Sequence, residues 1–488
     1  MTPTITRGRV VLSTGFSGLL TDRGITVDEL SDQAGIPVEE LNRFASGHAA
    51  GIRFDSLLTI SDVLGCDIDE LLPLATKPGD SPQVKPQRTV TRPPAHWRFA
   101  LGGSAVSLFV VWVLTAIISA VNPVDFLVYR YGSAGALAGN DIYNGNLAGP
   151  MMPAEGLPFT YTPFAALTLL PTNVFAPITA FVVWSLLTMA LLAWVIWRCT
   201  PPGPSRVRHA LIAFALSGFS IVVASHIIFG QINILLMTLC LADIARSPHS
   251  RLGRLIPPGV LVGVAAAIKL TPALFIVYFA VTRQWRRTWW SIAAAGTCTL
   301  AAATIYPAAS RTFFAETVWH LSDKVDLGGL FATSGNNSIQ GALAYFNVHP
   351  LLAALLALGA GALGILAAHA TYTRGHALDA AVIVGITACL VSPVSWLHHW
   401  VYLVPALVIL SVNRSRSSRR FVCVASLVIL ATGPTVGDVL LGTGLAWVWP
   451  FAIILRESLL LIGIMAAVLL WRRATGAPYS GVSMIDRS

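Results

Sequence analysis

Residues 263–275 read GVAAAIKLTPALF, a lysine and a Thr-Pro step inside an otherwise apolar run. Two facts in that stretch decide the fold class. The flanking runs, 256–268 and 272–282, are too short to cross a hydrocarbon core of about 30 Å at about 1.5 Å per residue. They read as a hairpin of apolar segments broken at Thr271-Pro272. A break at membrane depth is tolerated where it lines a cavity or is buried in protein, and a charge placed there is a functional hypothesis by default. Similar apolar runs fall near 99–121, 174–197, 209–228, 231–245, 289–308, 350–370, 378–394, 399–412, 421–441 and 450–471, twelve in all with the broken pair. The run 159–171 (FTYTPFAALTLLP) is short and bounded by Pro, as a re-entrant piece would be. The chain of 488 residues is 55% hydrophobic and 11% charged, against about 25% charged in soluble domains. A soluble enzyme, a fibre and a disordered chain are excluded. Continuous apolar runs, without alternation, exclude a membrane β-barrel. The expected class is all-α, a polytopic membrane protein with about twelve transmembrane helices.

Charge divides the chain. Residues 1–76 carry five basic and eleven acidic side chains, and the other 412 carry 27 basic and 12 acidic. The basic excess therefore belongs to the membrane part, where Lys and Arg mark cytoplasmic loops. Residues 77–97 (KPGDSPQVKPQRTVTRPPAHW) are rich in Pro and basic residues and read as a linker onto the membrane surface. Alternating the spans from an inner linker places Arg198/Arg206/Arg208, Arg246/Arg251/Arg254, Arg283/Arg286/Arg287, Arg374, Arg414/Arg416/Arg419/Arg420 and Arg472/Arg473 inside. Both termini are then cytoplasmic, and segments 122–173 and 309–349 lie outside. The first long apolar run begins too late for a signal peptide. Six scattered cysteines (66, 199, 240, 298, 389, 423) form no CxxC and read as small buried residues, with neither a disulfide framework nor a zinc site expected.

The outer face collects the polar residues that lack a bland explanation. Asp125, Tyr129 and Ser133 share a helix face if their segment is helical, with Arg130 beside them. Asp125 reads as a catalytic carboxylate, or as a helix N-cap or ion-pair partner of Arg130. Lys269 reads as a ligand group or as a side chain snorkelling to a headgroup. Of the adjacent His398 and His399, about 100° apart on a helix, one faces a site. His226, Gln231 and Asn233 surround the turn in SHIIFGQIN, and Asn337 and Ser338 sit in the second outer loop. Asp141, Glu155, Glu316, Asp323 and Asp326 read as solvated loop charges. No GxxxxGK[ST], no GxGxxG before a strand and no HExxH is present, so soluble nucleotide binding is unsupported.

Within residues 1–76, Thr26 is placed to cap a helix with Glu29 at the capping-box position, and short amphipathic helices follow after Pro37 and before Gly65. The spacing of Leu30, Ala34, Gly35, Ile36, Leu41, Gly47, Leu57, Leu64, Gly65 and Leu71 resembles the Cro/repressor-type helix-turn-helix domain. The helix in the reading position, Val38 to Phe44, opens Val-Glu-Glu, which phosphates repel. A protein partner or a regulatory role is expected there, and DNA is not.

DFLVYRYGSAGALAGNDIY, LPFTYTPFAALTLLP, GQINILLMTLCLAD, AAIKLTPALFIVYFAVTRQWR, GNNSIQGAL and SPVSWLHHWVYLVPAL, in this order, resemble glycosyltransferase family 87 over roughly residues 98–472. The resemblance implies a GT-C fold in 98–473, followed by a cytoplasmic tail, 474–488. It implies a polyprenyl-phosphate sugar donor, a mannosylated lipid or lipoglycan acceptor, and a multi-pass protein of the plasma membrane with an extracytoplasmic active site. The family's carboxylate just after the first span maps to Asp125 as general base. Its late histidine maps to His399 in preference to His398. Lys269 falls near the donor phosphate, with Arg130, Tyr129, Gln231, Asn233 and Asn337 as further binding residues. Such a donor carries its own leaving group, so one base suffices and the attack inverts the anomeric carbon. No cofactor and no metal is implied. The family includes arabinosyl as well as mannosyl donors, and the LPFTYTPFAA, IKLTP and SWLHHW segments look closer to the mannosyl members, with an α-1,2 linkage expected. The rival classes are a lipid or glycan transporter, against which the lack of internal repeats argues, and a membrane-tethered transcriptional sensor.

Overall fold

The computed structural model describes residues 15–45, 54–64, 123–246, 251–321, 324, 329–413 and 415–476. The apolar run 99–121, the linker 77–97, the tail after 476, Asp323 and Asp326 lie outside these. The chain divides into two compact units, residues 1–92 and 93–488.

In the first unit, helices Gly15–Arg23, Val27–Ala34, Val38–Ala45 and Phe54–Leu64 enclose Phe16, Leu20, Leu30, Ile36, Leu41, Ile60 and Leu64. The expected capping box is formed: Glu29 N–H donates to Thr26 Oγ1 (3.2 Å) and Thr26 N–H to Glu29 Oε2 (2.9 Å). These bonds favour the ionised Glu29 and hold its carboxyl below the usual range. Gly35 ends the helix at φ 64°, a left-handed conformation natural to glycine.

Among its described residues the second unit is built of helices joined by loops and has no strand, only the isolated bridges Leu147–Leu157 and Asn336–Trp396. Among the described residues, three helices are long and apolar enough to cross a membrane: Pro177–Cys199, Pro350–Tyr372 and Ser458–Thr475. Two further pairs, Arg206–Gly218 with Ile221–Phe229 and Arg416–Leu430 with Gly433–Gly442, are each bent by 63°. Ser220 makes the first bend, its Oγ accepting from Val223 N–H. The run 450–471, read as one span, is instead two helices, Trp449–Arg456 and Ser458–Thr475. They part where the buried Arg456 pairs with Glu457 and lies 3.4 Å from Asp438.

Among the described residues, the run 289–308 lies mostly in the 21-residue helix Trp285–Ile305, the runs 231–245, 256–268, 272–282, 378–394 and 399–412 form shorter helices, and one carboxylate sets how two of these align. Asp243, near the C-terminal end of Asn233–Ala245, accepts from the N–H groups of Gly259 (2.9 Å) and Val262 (3.1 Å), which begin helix Val260–Ile268. Arg246 neutralises it at 3.1 Å. The two helices therefore run antiparallel, and Asn233 and Lys269 emerge together at the far end. Other arginines tie the Asp243 end: Arg198 donates to the Ala245 carbonyl, Arg374 to that of Thr475, and Arg473 pairs with Asp379.

Helix Ala377–Val391 is buried on all sides from Asp379 to Leu390, as an all-round apolar helix must be. Its Gly385 lies against the Tyr402 ring, and Gly463 of the last helix against Trp400; a Cβ at either would collide. Both seat the 3-10 turn Leu397–Tyr402, which carries the histidine pair.

Removing the Thr26 hydroxyl costs about 1 kcal/mol. Thr26→Ala in the full chain is expected to speed amide exchange across Val27–Ala34 about fivefold. An unchanged rate would show that packing alone holds this helix.

Candidate active site

Helix Val124–Leu137 starts directly after Pro123, with Asp125 in its first turn, where exposed N–H groups favour an anion. Phe126 and Tyr129 on the same helix are buried, which leaves the Asp125 carboxylate at the edge of the packed region. The next element is the turn after helix Ile221–Phe229. Gly230 adopts φ 70° and lies so close to Phe126 that a side chain there would collide with it. Trp184 Nε1 donates to the Gly230 carbonyl at 2.9 Å. His226 accepts at Nε2 from Ile234 N–H (3.0 Å), so it caps the following helix and its part is structural.

This turn delivers Gln231 and Asn233 to the same spot. Gln231 Oε1 accepts from Tyr129 (3.2 Å), Tyr161 (3.4 Å) and Asn233 Nδ2 (3.2 Å). Its oxygen is thereby occupied, and the side chain also pairs with Asp125. The hydroxyls of Tyr129 and Tyr161 lie 2.9 Å apart, their rings edge to face.

The break read from the sequence is present. Helix Val260–Ile268 ends, Lys269 is extended at φ −146°, ψ 139°, and helix Ala273–Val281 follows. A broken helix leaves carbonyls without partners. Thr162 supplies one: its hydroxyl donates to the Ala267 carbonyl and lies 3.2 Å from that of Ile268. The same oxygen caps helix Pro163–Thr168 by accepting from Ala165 N–H (3.2 Å). One threonine thus stitches two broken segments and places Tyr161 beside Lys269.

Lys269 Nζ donates to Asn233 Oδ1 (3.1 Å), meets His399 Nε2 (3.3 Å) and lies 5.2 Å from the centre of the Tyr161 ring. Three donors on one ammonium leave an N–H beyond these two. A pocket opens beneath it, lined by Thr271, Pro272, Phe275 and Cys389. Asp125 senses the Lys269 charge, so one carboxylate and one ammonium face a frame of neutral hydroxyls and amides. The two histidines differ in their surroundings. His399 is half-buried and reaches Lys269, while His398 is buried behind it, packed on Phe229.

Asp125, Tyr129, Gln231, Asn233, Lys269 and His399 come together. Arg130 does not: its guanidinium donates to the carbonyls of Thr172 and Phe175. Neither does Asn337, which donates to Ser334 O and accepts from Leu459 N–H. Both polar groups are consumed by backbone. Asp141 closes a local turn with Tyr143 and Asn144, and Glu155 and Glu316 are exposed. Tyr161 and Thr162 were not singled out in the sequence. Their signal is the pair of hydroxyls before Pro163, at a break. No group of three His, Cys, Asp or Glu side chains able to hold a metal occurs among the described residues.

Arg130→Ala would leave the Thr172 and Phe175 carbonyls without their donor, at a cost of about 1–3 kcal/mol. A lowered thermal midpoint of the detergent-solubilised chain is expected. An unchanged midpoint would contradict a structural role for Arg130.

The family model for glycosyltransferase family 87 matches residues 159–393, and that for the Cro/C1-type HTH DNA-binding domain matches residues 16–77. The first spans Tyr161, Gln231, Asn233 and Lys269. The polyprenol-phosphate-mannose-dependent α-(1-2)-phosphatidylinositol mannoside mannosyltransferase of Mycobacterium tuberculosis is 30% identical over 368 residues, 68% of this chain and 83% of its own length. Its namesake from Mycolicibacterium smegmatis is 30% identical over 362 residues, 68% of this chain and 79% of its own. The crystal structure of ArnT from Cupriavidus metallidurans in the apo state covers 76% of this chain and 77% of its own at 16% identity and a TM-score of 0.33, a likeness too distant to carry an argument. The extent and identity of the mycobacterial matches settle the family: the chain belongs to glycosyltransferase family 87.

Proposed function

We propose that this chain transfers a mannosyl group from polyprenyl-phosphate mannose to a mannosylated lipid or lipoglycan, on the extracytoplasmic face of the plasma membrane. The observation that carries the reading is the convergence of Asp125, in the first turn of its helix, and Lys269, at a helix break, inside a frame of neutral donors. The names of the two mycobacterial relatives, each of which this chain covers over more than three quarters of its length, support the donor and the acceptor class. The arginine-rich loops at the Asp243 end support the orientation, because such loops stay cytoplasmic and Asn233 and Lys269 lie at the other end.

In this reading Lys269 receives the donor phosphate, held in place by Asn233 and His399. Asp125 takes the proton of the acceptor hydroxyl as that oxygen attacks the anomeric carbon. The carbon–phosphate oxygen bond breaks, and its electron pair leaves with the polyprenyl phosphate. Lys269 stabilises the charge that develops on the departing group. One displacement inverts the centre, from a β-linked donor to an α-linked product. A second carboxylate of the glycosidase kind is not needed, because the phosphate leaves without protonation.

Membranes carrying the native chain are expected to transfer mannose from polyprenyl-phosphate mannose to a phosphatidylinositol mannoside. Asp125→Asn is expected to lower kcat by about 10²–10⁴ at equal expression. Equal rates would remove Asp125 as the base.

The pH profile gives a second check. Asp125 sits outside the membrane-spanning runs, and burial pushes its carboxyl up to about 6. The base works ionised, so kcat is expected to rise tenfold per pH unit below that value and to level off above it. Lys269 draws the carboxyl down. Lys269→Met is therefore expected to move the midpoint of any residual activity to higher pH. A midpoint near 4, or one indifferent to Lys269, would contradict the pairing.

A further inference from the structure

The stretch Gly335–Leu343 stood out in the sequence, yet its asparagines bind nothing in the site. Asn336, Asn337 and Ser338 are all fully buried. A side-chain amide can make four hydrogen bonds, two through each end, and Asn336 makes all four. Two stay within its own loop: Nδ2 donates to Phe331 O (2.9 Å) and Oδ1 accepts from Ser338 N–H (3.2 Å). The other two cross to the segment preceding the histidine pair: Nδ2 donates to Pro393 O (3.2 Å) and Oδ1 accepts from Ser395 N–H (2.8 Å). The neighbours fasten the same segment, Asn337 N–H to Ser395 O (3.0 Å) and Ser338 Oγ to Pro393 O (2.8 Å).

From there the connections run to the pocket. Ser395 Oγ donates to Cys389 O (2.7 Å), His399 N–H to Trp396 O (2.8 Å), and Cys389 Sγ to His399 O (3.3 Å). His399 then meets Lys269. The loop has little room for another arrangement. A Cβ on Gly341 would overlap the Asn336 amide, and one on Gly335 would lie 3.3 Å from the Trp396 ring.

We propose that Asn336 is a positioning residue: it clamps residues 393–395 so that His399 is held against Lys269. Asn336 touches neither Lys269 nor the pocket and acts through the segment it fastens. The kinetic consequence rests on the reading of Lys269 and His399 as the donor-phosphate site, whereas the clamp itself does not.

Asn336→Asp is nearly isosteric and sets an oxygen against the Phe331 and Pro393 carbonyls. In the full chain in nanodiscs, it is expected to speed alkylation of Cys389 about tenfold. Cys199, buried at the arginine-rich end, serves as internal control and should not change. An unchanged Cys389 rate, or an equal rise at Cys199, would overturn the clamp. Should Asn336→Asp fail to fold, Gly341→Ala presses on the same amide and carries the same measurement with the same expected and contrary results.

In mannosyl transfer, Asn336→Asp is expected to lower kcat about 10–100-fold, the scale of a misplaced site. The double variant with His399→Ala should be no slower than His399→Ala alone. Losses that multiply would place the effect of Asn336 elsewhere and overturn the proposal. Should the native chain transfer no mannose, the proposed function fails, and the Cys389 measurement still decides the clamp.

Discussion

An ammonium group at a helix break within an apolar bundle must be surrounded by groups that replace its water, and this requirement organises the membrane unit. Lys269 satisfies it with the Asn233 side-chain amide oxygen, the His399 ring nitrogen and the face of Tyr161. A desolvated charge without such partners costs several kcal/mol, of order 3 or more. Each partner comes from a different element, so the break, the Gly230 turn and the histidine turn must all end at one place. The broken backbone imposes the same demand in neutral form. Thr162 answers it by bonding the carbonyls that helix Val260–Ile268 leaves free.

The opposite end of the bundle makes this convergence possible. Asp243 binds the first N–H groups of one helix from near the last turn of its neighbour and fixes the pair antiparallel. Two helices of 13 and 9 residues then carry Asn233 and Lys269 to the same level. A buried ion pair with Arg246 at one end and a ligand-ready ammonium at the other are thus parts of one arrangement. The first is closed by protein partners, and the second keeps an open side toward its pocket.

Much of the site was legible because a charge or amide in an apolar run has few innocent explanations. Lys269, Asp125, Gln231 and Asn233 were found that way, and Thr271-Pro272 marked the break. Arg130 and Asn337 were misplaced for a physical reason. Their partners are backbone carbonyls and amides distant in sequence, and composition carries no trace of those. Tyr161 escaped notice because a tyrosine in an apolar run resembles core until its hydroxyl partner is known. The split at Arg456–Glu457 was equally hidden. Apolar residues flank it on both sides, and the contacts of Arg456 with Glu457, Asp438, the Ala332 carbonyl and the Tyr345 ring show why a buried arginine is stable there. In the first unit the capping box of Thr26 and Glu29 is local, and local chemistry was read directly.

Whether Asp125 and Lys269 serve one reaction centre is decided by a structure of the chain with polyprenyl-phosphate mannose bound. The phosphate is expected within hydrogen-bonding distance of Lys269 Nζ, and Asp125 on the side of the anomeric carbon away from the phosphate, where an acceptor hydroxyl attacks. A phosphate seated at the arginine-rich end, or one on Lys269 with Asp125 out of reach of the anomeric carbon, would contradict a shared reaction centre.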